Sequence, residues 1–244
     1  MCGRFAFYST HEAVVRLFGL PDDTPELEPR YNIAPTTYVP VVRERHDVAA
    51  TRRLAMLYWG LVPWWAKEKS IGARMINARA ETLKDKPAFR DAYGRRRGLV
   101  PADGYFEWMK TGARDKQPYF IQPASGAPFA LAALWEYWRD PATGEPLESV
   151  ALITTDAGRS VAHVHDRMPV VIPSAAFAEW LDPENRDVDR LDRLLDPIAI
   201  GDMVARPVSR HVSNARNEGP ECIEPLGLDA PAGLPFDAPL PDEH

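Results

Sequence analysis

Cys2 directly follows the initiator methionine in the opening sequence MCGRFAF, so a nucleophile occupies the second position of the chain. A small residue there is the usual condition for removal of Met1. The mature chain would then begin with a free α-amine and a thiol on adjacent carbons, a pair of nucleophiles that only an N-terminal cysteine offers. A free cysteine is also common as a small buried apolar residue, so its position alone leaves both interpretations open.

Glu107 is an acidic residue within the apolar run GYFEWMK, between Phe106 and Trp108. Strand alternation places its side chain on the same face as Tyr105 and Met109. If that face is exposed, the carboxylate is simply solvated. If it is buried, the result is a desolvated acid suited to proton transfer near neutral pH.

Two further stretches contain polar candidates. Asn77 lies in MINARAET, where the alternative role is a turn or a helix cap. His163 and His165 alternate in VAHVHDRMPVV and are followed by Asp166 and Arg167. Zinc sites normally need three or four protein ligands, and no further ligand has suitable spacing, so we predict a proton-shuttling histidine and no metal. The sequence also lacks a glycine-rich phosphate loop and a dinucleotide fingerprint, and we predict no cofactor.

Short strands and a few helices must position these residues. The stretch STHEAVVRLFGL predicts a first helix with a Ser/Thr cap and an end at Gly19, and SAAFAEWLD and DVDRLDRLLD predict two short late helices. The predicted strands are TTYVPVVRER, RLAMLYWGLVP, RGLVPADGYFEW, QPYFIQP, PFALAALWEYW and ESVALITT. Successive strands with few intervening helices predict an α+β fold with a mainly antiparallel sheet or partly closed β-barrel.

The length of 244 residues, 45% of them hydrophobic, suffices for one substantial core. We predict a single domain over residues 2–225, followed by an acidic, Pro/Ala-rich and disordered tail over residues 226–244. Two cysteines are too few for a disulfide framework and favour a reducing compartment. Since no signal peptide and no apolar run of about 18 residues is found, we predict a cytoplasmic protein with no membrane partner.

The net charge of −6 argues against a nucleic-acid partner, but the charges are unevenly distributed. Residues 217–244 contain seven acidic residues and no Lys or Arg. Residues 67–97, in contrast, hold ten Lys/Arg and four Asp/Glu. Such a basic run is either a solvated face or a surface that contacts phosphate groups.

Seven sequence blocks, in family order, resemble the SOS response-associated peptidase (SRAP) family. They are MCGRF, RYNIAPT (30–36), WGLVPWW (59–65), INARAET (76–82), ADGYFEW (102–108), HDRMPV (165–170) and PVSRHVSNARNEG (207–219). Each block is weak alone, but the combination covers about residues 2–225 and is specific. The resemblance implies the SRAP fold and a protein that senses abasic sites in single-stranded DNA during the DNA damage response.

The resemblance also implies that the protein crosslinks to DNA through Cys2 after Met1 removal. We further predict that it is a nucleoid-associated monomer. In the matching blocks Cys2 is the nucleophile, surrounded by Asn77, Glu107 and His165. The implied DNA-binding residues are Arg4, Asn32, Pro35, Trp64, Trp65, Arg79 and Arg167. Relatives commonly place two aromatic residues after a P-x step, and here Trp65 aligns with the first and Ala66 with the second. Which tryptophan contacts the bases is therefore open.

An N-terminal aminothiol suits this chemistry. Its amine can form a Schiff base with the open aldehyde of an abasic deoxyribose, and the thiol can then close a five-membered thiazolidine. Ring closure is intramolecular, so proximity can remove as much as ~7–11 kcal/mol of barrier. With ordinary pKa values of about 7.7–8.0 for the amine and about 8.5 for the thiol, both are partly nucleophilic near neutral pH. Loss of the proton α to the imine would cleave the strand, so lyase activity is an expected side reaction.

Two other functions stay open. A cysteine peptidase that removes its own first residue or cuts other proteins would use Cys2 and His165 together with Asn77 or Glu107. A non-catalytic single-stranded-DNA-binding protein would leave Cys2 with a purely structural role.

Overall fold

The computed structural model describes residues 2–44, 51–113, 115–196 and 203–226. The strands are β1 (Phe5–Phe7), β2 (Arg30–Ile33), β3 (Tyr38–Glu44), β4 (Arg52–Trp59), β5 (Asn77–Arg79), β6 (Arg97–Ala102), β7 (Gly104–Lys110), β8 (Lys116–Pro123), β9 (Phe129–Arg139), β10 (Pro146–Asp156), β11 (Arg167–Pro169), β12 (Val171–Ile172) and β13 (Met203–Pro207). The helices are α1 (His11–Phe18), α2 (Arg90–Arg95), α3 (Phe177–Leu181) and α4 (Val188–Arg193). Short 3-10 helices cover Lys69–Arg74, Ala80–Thr82, Ser174–Ala176, Arg210–Ser213 and Pro220–Cys222.

Five strands form a closed barrel in the order β10–β4–β3–β6–β9, and β9 pairs with β10 to complete the ring. Every pairing in the ring is antiparallel except that of β10 with β4. The short strand β5 also pairs in parallel with β10 and places Asn77 opposite Leu152. The predicted α+β fold with a mainly antiparallel, closed sheet is confirmed.

A second sheet contains five strands in the order β13–β8–β7–β1–β2 and is buried on both faces. The face that packs on the barrel joins the main core through Cys2, Phe5, Phe7, Tyr105, Tyr119 and Ile121. The opposite face is covered by residues 208–223, here named the C-terminal cover. The apolar contacts under the cover are made by Ala6, Phe106, Phe120, Val208, Val212 and Cys222. Glu107, which alternates with Phe106, therefore faces the barrel.

The sequence predicts a single strand over RGLVPADGYFEW, but the structure divides it into β6 and β7, which belong to different sheets. The division falls at Asp103, which is 1% exposed. The Asp103 carboxylate accepts the backbone N–H groups of Tyr8 (2.5 Å) and Ser9 (2.8 Å), and also the Ser9 hydroxyl. A buried carboxylate requires such donors, and these lie in the loop after β1. The chain therefore changes sheets at Asp103, four residues before Glu107.

The predicted first helix is confirmed as α1. The Thr10 side chain accepts the backbone N–H of Ala13, and Gly19 follows the helix with a left-handed φ of 61°. Both late helices are also present, as α3 and α4. Most of the predicted tail, residues 227–244, lies outside the described residues. Within the described ranges no helix is long and apolar enough to cross a membrane.

Candidate active site around Cys2

Cys2 lies just before β1 and is completely buried. The side-chain amide of Asn77 donates from Nδ2 to the carbonyl oxygen of Cys2 at 2.7 Å. Asn77 is itself positioned by the barrel, because Trp59 Nε1 donates to the carbonyl oxygen of the adjacent Ile76 at 2.9 Å. The Trp59 ring also packs edge-on against Phe5, with centroids 5.3 Å apart. The start of the chain is thus fixed to one edge of the barrel.

The environment of the Cys2 thiol keeps it neutral. Burial raises the pKa of this thiol, and the nearby Glu107 carboxylate raises it further. The Sγ atom lies 3.9 Å from the carbonyl oxygen of Arg4, toward which it donates. The thiol is therefore protonated near neutral pH, in contrast to the partial ionisation expected from the ordinary pKa of a cysteine.

Glu107 lies near Cys2, and His165 faces Glu107. Glu107 is 4% exposed, and its Oε2 atom lies 3.9 Å from Nε2 of His165 in the loop between β10 and β11. The other ring nitrogen of His165, Nδ1, accepts the backbone N–H of Arg167 at 3.0 Å and lies 2.8 Å from Oδ1 of Asp166. A backbone N–H can only donate, so this contact fixes the ring with Nε2 directed at Glu107. A carboxylate and an imidazole in this arrangement can pass a proton between them.

Arg167 fastens the loop that carries His165. Its guanidinium donates to Glu81 Oε1 at 2.7 Å, to Asp156 Oδ1 at 2.6 Å and to the carbonyl oxygen of Thr154 at 2.8 Å. The hydrogen bond from Arg167 is the main reason that the pKa of Glu81 is lowered. Arg167 thus has a positioning role in the structure, and its contact with DNA stays a prediction.

Arg4 and Asn32 connect the N-terminal strands to the C-terminal cover. Arg4 Nη1 donates to Asn32 Oδ1 at 2.6 Å and to the carbonyl oxygen of Val212 at 3.0 Å, and burial lowers the pKa of this arginine. Asn32 is 2% exposed, and its Nδ2 donates to the carbonyl oxygens of Val212, Asn214 and Asn217. These bonds hold the cover on the second sheet, and the DNA contacts of Arg4 and Asn32 stay predictions.

Trp64 and Trp65 are the two central residues of a fixed turn. The backbone N–H of Ala66 donates to the carbonyl oxygen of Pro63 at 2.9 Å, and Trp138 Nε1 donates to the carbonyl oxygen of Ala66 at 2.8 Å. The residue Trp64 is 62% exposed and Trp65 is 45% exposed. Large exposed rings on an anchored turn are typical of surfaces on which nucleic-acid bases stack.

Pro35 and Arg79 are the two remaining predicted DNA-binding residues, and their contacts with DNA stay predictions. Pro35 precedes Thr36, whose φ of 64° lies in the left-handed region and whose N–H donates to the carbonyl oxygen of Trp59 at 2.8 Å. A β-branched residue in that region costs on the order of 1–3 kcal/mol, and such strain is concentrated at functional sites. Arg79 is exposed at the end of β5, two residues after Asn77.

A cleft of about 620 Å³ opens beside Glu107 and His165. The end of β7, the start of β8 and residues 162–166 line it. Lys110 and Lys116 lie directly opposite each other across β7 and β8, and both line the cleft. Like charges in directly opposed positions repel, and an anion between them would relieve this repulsion. Across the described ranges no group of three or more His, Cys, Asp or Glu side chains could hold a metal ion.

Tyr105 is a residue of this site that sequence reasoning did not select. It lies two positions before Glu107 on β7, on the face that packs against the barrel, and is completely buried. Burial raises the pKa of its hydroxyl well above the ordinary value, and Cys2 and Glu107 add to this effect. In the sequence, strand alternation places Tyr105 on the same face as Glu107. This pattern could not show that the Tyr105 hydroxyl lies beside the Cys2 site.

The fold and the site define a single-domain α+β protein in which a buried cysteine at position 2 is held by an amide and lies near an acid that faces a histidine. A family profile described as "SOS response associated peptidase (SRAP)" matches residues 1–215. The chain belongs to this family.

Relatives are similar over most of their length. The chain is 40% identical to the abasic site processing protein YoqW of Bacillus subtilis, over 92% of this chain and 99% of that protein. Its identity to the abasic site processing protein YedK of Escherichia coli is 34%, over 93% of this chain and 100% of the relative. The chain is 30% identical to the abasic site processing protein HMCES of Rattus norvegicus, over 93% of this chain and 77% of that protein.

Solved structures show the same architecture. A phage-related protein of Bordetella bronchiseptica has 34% sequence identity and a TM-score of 0.68, with 86% of this chain and 95% of that chain covered. A protein from Bacteroides thetaiotaomicron has 24% identity and a TM-score of 0.81, with 92% and 100% covered, and this likeness concerns the fold alone.

Proposed function

We propose that this protein processes abasic sites in single-stranded DNA by forming a covalent thiazolidine crosslink through Cys2 after removal of Met1. The names of the relatives, which describe abasic site processing proteins, support the substrate class. The observation that carries the proposal is the fixed position of Cys2. Its carbonyl group is held by Asn77, and Glu107 lies near enough to raise the pKa of its thiol.

The reaction begins at nitrogen rather than at sulfur, because the buried thiol stays protonated. An α-amine with a pKa of about 7.7–8.0 is neutral in roughly a tenth of molecules at pH 7. The amine adds to the C1′ aldehyde of the open sugar, and the resulting carbinolamine loses water to give an imine. Sγ then bonds to C1′ while the C=N electron pair moves to nitrogen, which receives the thiol proton.

Three side chains support these steps. Glu107 takes the proton that the attacking amine releases and returns it to the departing hydroxyl. His165, whose Nε2 is 3.9 Å from the Glu107 carboxylate, protonates the sugar ring oxygen during ring opening and acts in the reverse direction when the crosslink is undone. Asn77 orients the backbone of Cys2. Loss of the α-proton from the imine gives strand cleavage as a side reaction.

The peptidase alternative has weaker support. A cysteine peptidase depends on a thiolate, which is produced by a lowered pKa or a paired histidine. Burial and Glu107 raise the pKa of the Cys2 thiol instead. His165 Nε2 faces the Glu107 carboxylate, so the imidazole is positioned to exchange protons with the acid.

The test uses the purified chain and a single-stranded oligonucleotide with one abasic site. We expect an adduct that survives denaturing electrophoresis, and peptide mass spectrometry should place it on an N-terminal peptide that begins at Cys2. The mass of this peptide should increase by the mass of the abasic sugar residue less one water, because thiazolidine formation releases one water. Two oligonucleotides serve as controls, one with an intact base and one with a tetrahydrofuran abasic analogue, which has no aldehyde. Neither should form an adduct. Retention of Met1 on active protein, or an adduct on another side chain, would contradict the proposal, and binding without any adduct would favour the non-catalytic alternative.

Trp64 is proposed as the principal stacking residue, because its ring is the more exposed of the two in the turn. Trp64→Ala should weaken binding to tetrahydrofuran-containing single-stranded DNA by about 1–3 kcal/mol, the usual contribution of one stacked base. Trp64→Phe should retain part of this affinity, and Trp65→Ala should cost less than Trp64→Ala. Fluorescence anisotropy at one fixed salt concentration measures all three. A larger loss for Trp65→Ala would assign the stacking role to Trp65.

A further inference from the structure

The Tyr105 hydroxyl is a buried polar group without a hydrogen-bond partner among the described residues. An unpaired buried hydroxyl destabilises a fold, and a phenylalanine would fill the same space without this cost. Tyr105 itself has no exposed surface and lies in the main core with Cys2. A polar atom left in this state beside a reactive group points to a partner that arrives with the substrate.

The surroundings of this hydroxyl determine its role. Desolvation, Cys2 and Glu107 all raise the pKa of Tyr105, so the phenol keeps its proton throughout the physiological range. A protonated phenol can donate a hydrogen bond to an oxygen that gains negative charge. Asn77 Oδ1 is likewise buried and has no partner among the described residues. One donor and one acceptor are therefore available on the elements that position Cys2.

We propose that the Tyr105 hydroxyl donates a hydrogen bond to the C1′ oxygen of the abasic sugar while the Cys2 amine adds to it. This inference rests on the proposed function. In the step, the N–C1′ bond forms and the C=O electron pair moves to oxygen, which Tyr105 stabilises without giving up its proton. The ammonium proton passes to Glu107 and from Glu107 to the oxygen, which completes the carbinolamine. Donors aimed at an oxygen that becomes charged act mainly on the rate.

Tyr105→Phe tests the inference because it removes only the hydroxyl. We expect the single-turnover rate of adduct formation to fall by about 100-fold, the scale on which loss of one oxyanion donor acts. Affinity for the tetrahydrofuran analogue, which lacks the C1′ oxygen, should be unchanged. The melting temperature should be equal to or higher than that of the wild type, because the deleted hydroxyl has no partner to lose.

Tyr93→Phe is the matched control. Tyr93 is also buried, but its hydroxyl donates to Asp192 Oδ1 at 2.7 Å. This variant should have a lower melting temperature and an unchanged crosslinking rate, the reverse of the pattern for Tyr105→Phe. The inference is overturned if Tyr105→Phe crosslinks at the wild-type rate, if it melts at a lower temperature, or if it binds the tetrahydrofuran analogue less tightly. Failure of the wild type to crosslink would instead refute the proposed function.

Discussion

A chain with one uncleavable residue added before Cys2 is expected to form no covalent adduct with abasic single-stranded DNA. The added residue converts the α-amine into a peptide nitrogen, which cannot form a Schiff base, although the thiol is still present. Noncovalent affinity for the tetrahydrofuran analogue should change little, because the predicted stacking residues Trp64 and Trp65 lie on a separate turn. Denaturing electrophoresis and anisotropy measure the two properties on the same preparation.

Cys2→Ser provides the complementary variant, since it keeps the amine after Met1 removal and replaces the thiol. It should give an adduct only when borohydride reduces the Schiff base, whereas the wild type should give one without reductant. The extended chain should give no adduct with or without borohydride. A stable adduct from the extended chain would show that the amine of residue 2 is not the nucleophile. It would then direct attention to the thiol alone, as in the peptidase alternative.

Glu107→Gln is expected to slow adduct formation by about 10²–10⁴-fold, the usual range for a general acid–base residue. The amide keeps the size of the side chain but cannot accept and return the proton that the amine releases. Affinity for the tetrahydrofuran analogue should be retained. A quench series at saturating DNA gives the rate.

Glu136→Gln is the matched control for this substitution. Glu136 is 5% exposed, close to the 4% of Glu107, but it is paired with Arg96 at 2.7 Å. Its replacement should affect stability and leave the crosslinking rate unchanged. If both variants crosslink within about threefold of the wild type, far below the general acid–base range, Glu107 does not move the proton.

Much of the fold could be predicted from the sequence because its signals are local. The Thr10 cap and Gly19 predict α1, and alternating or apolar runs predict the long strands of the barrel. The change of sheet at Asp103 was not predictable in this way. It depends on donors from Tyr8 and Ser9, which lie 95 and 94 residues away along the chain. The short strands β1 and β2 also depend on pairing partners that no local pattern identifies.

For the site, the resemblance named Cys2, Asn77, Glu107 and His165. The structure places Asn77 in contact with Cys2 and His165 beside Glu107. Two properties could not be read from the sequence. The raised pKa of the Cys2 thiol follows from burial, which is a property of the assembled core. The position of the Tyr105 hydroxyl follows from the packing of the second sheet on the barrel.

The C-terminal cover has a consequence for the order in which the protein is made. Arg4 bonds to Val212 across 208 residues of chain, and Asn32 bonds to Asn217 across 185. The C-terminal cover therefore cannot pack on the second sheet until the ribosome has synthesised almost the whole domain. Contacts between residues so far apart in the chain also form slowly. Arg4 is thus among the first residues to be synthesised and among the last to reach its partner, and Cys2 emerges long before the segments that carry Asn77, Glu107 and His165 exist.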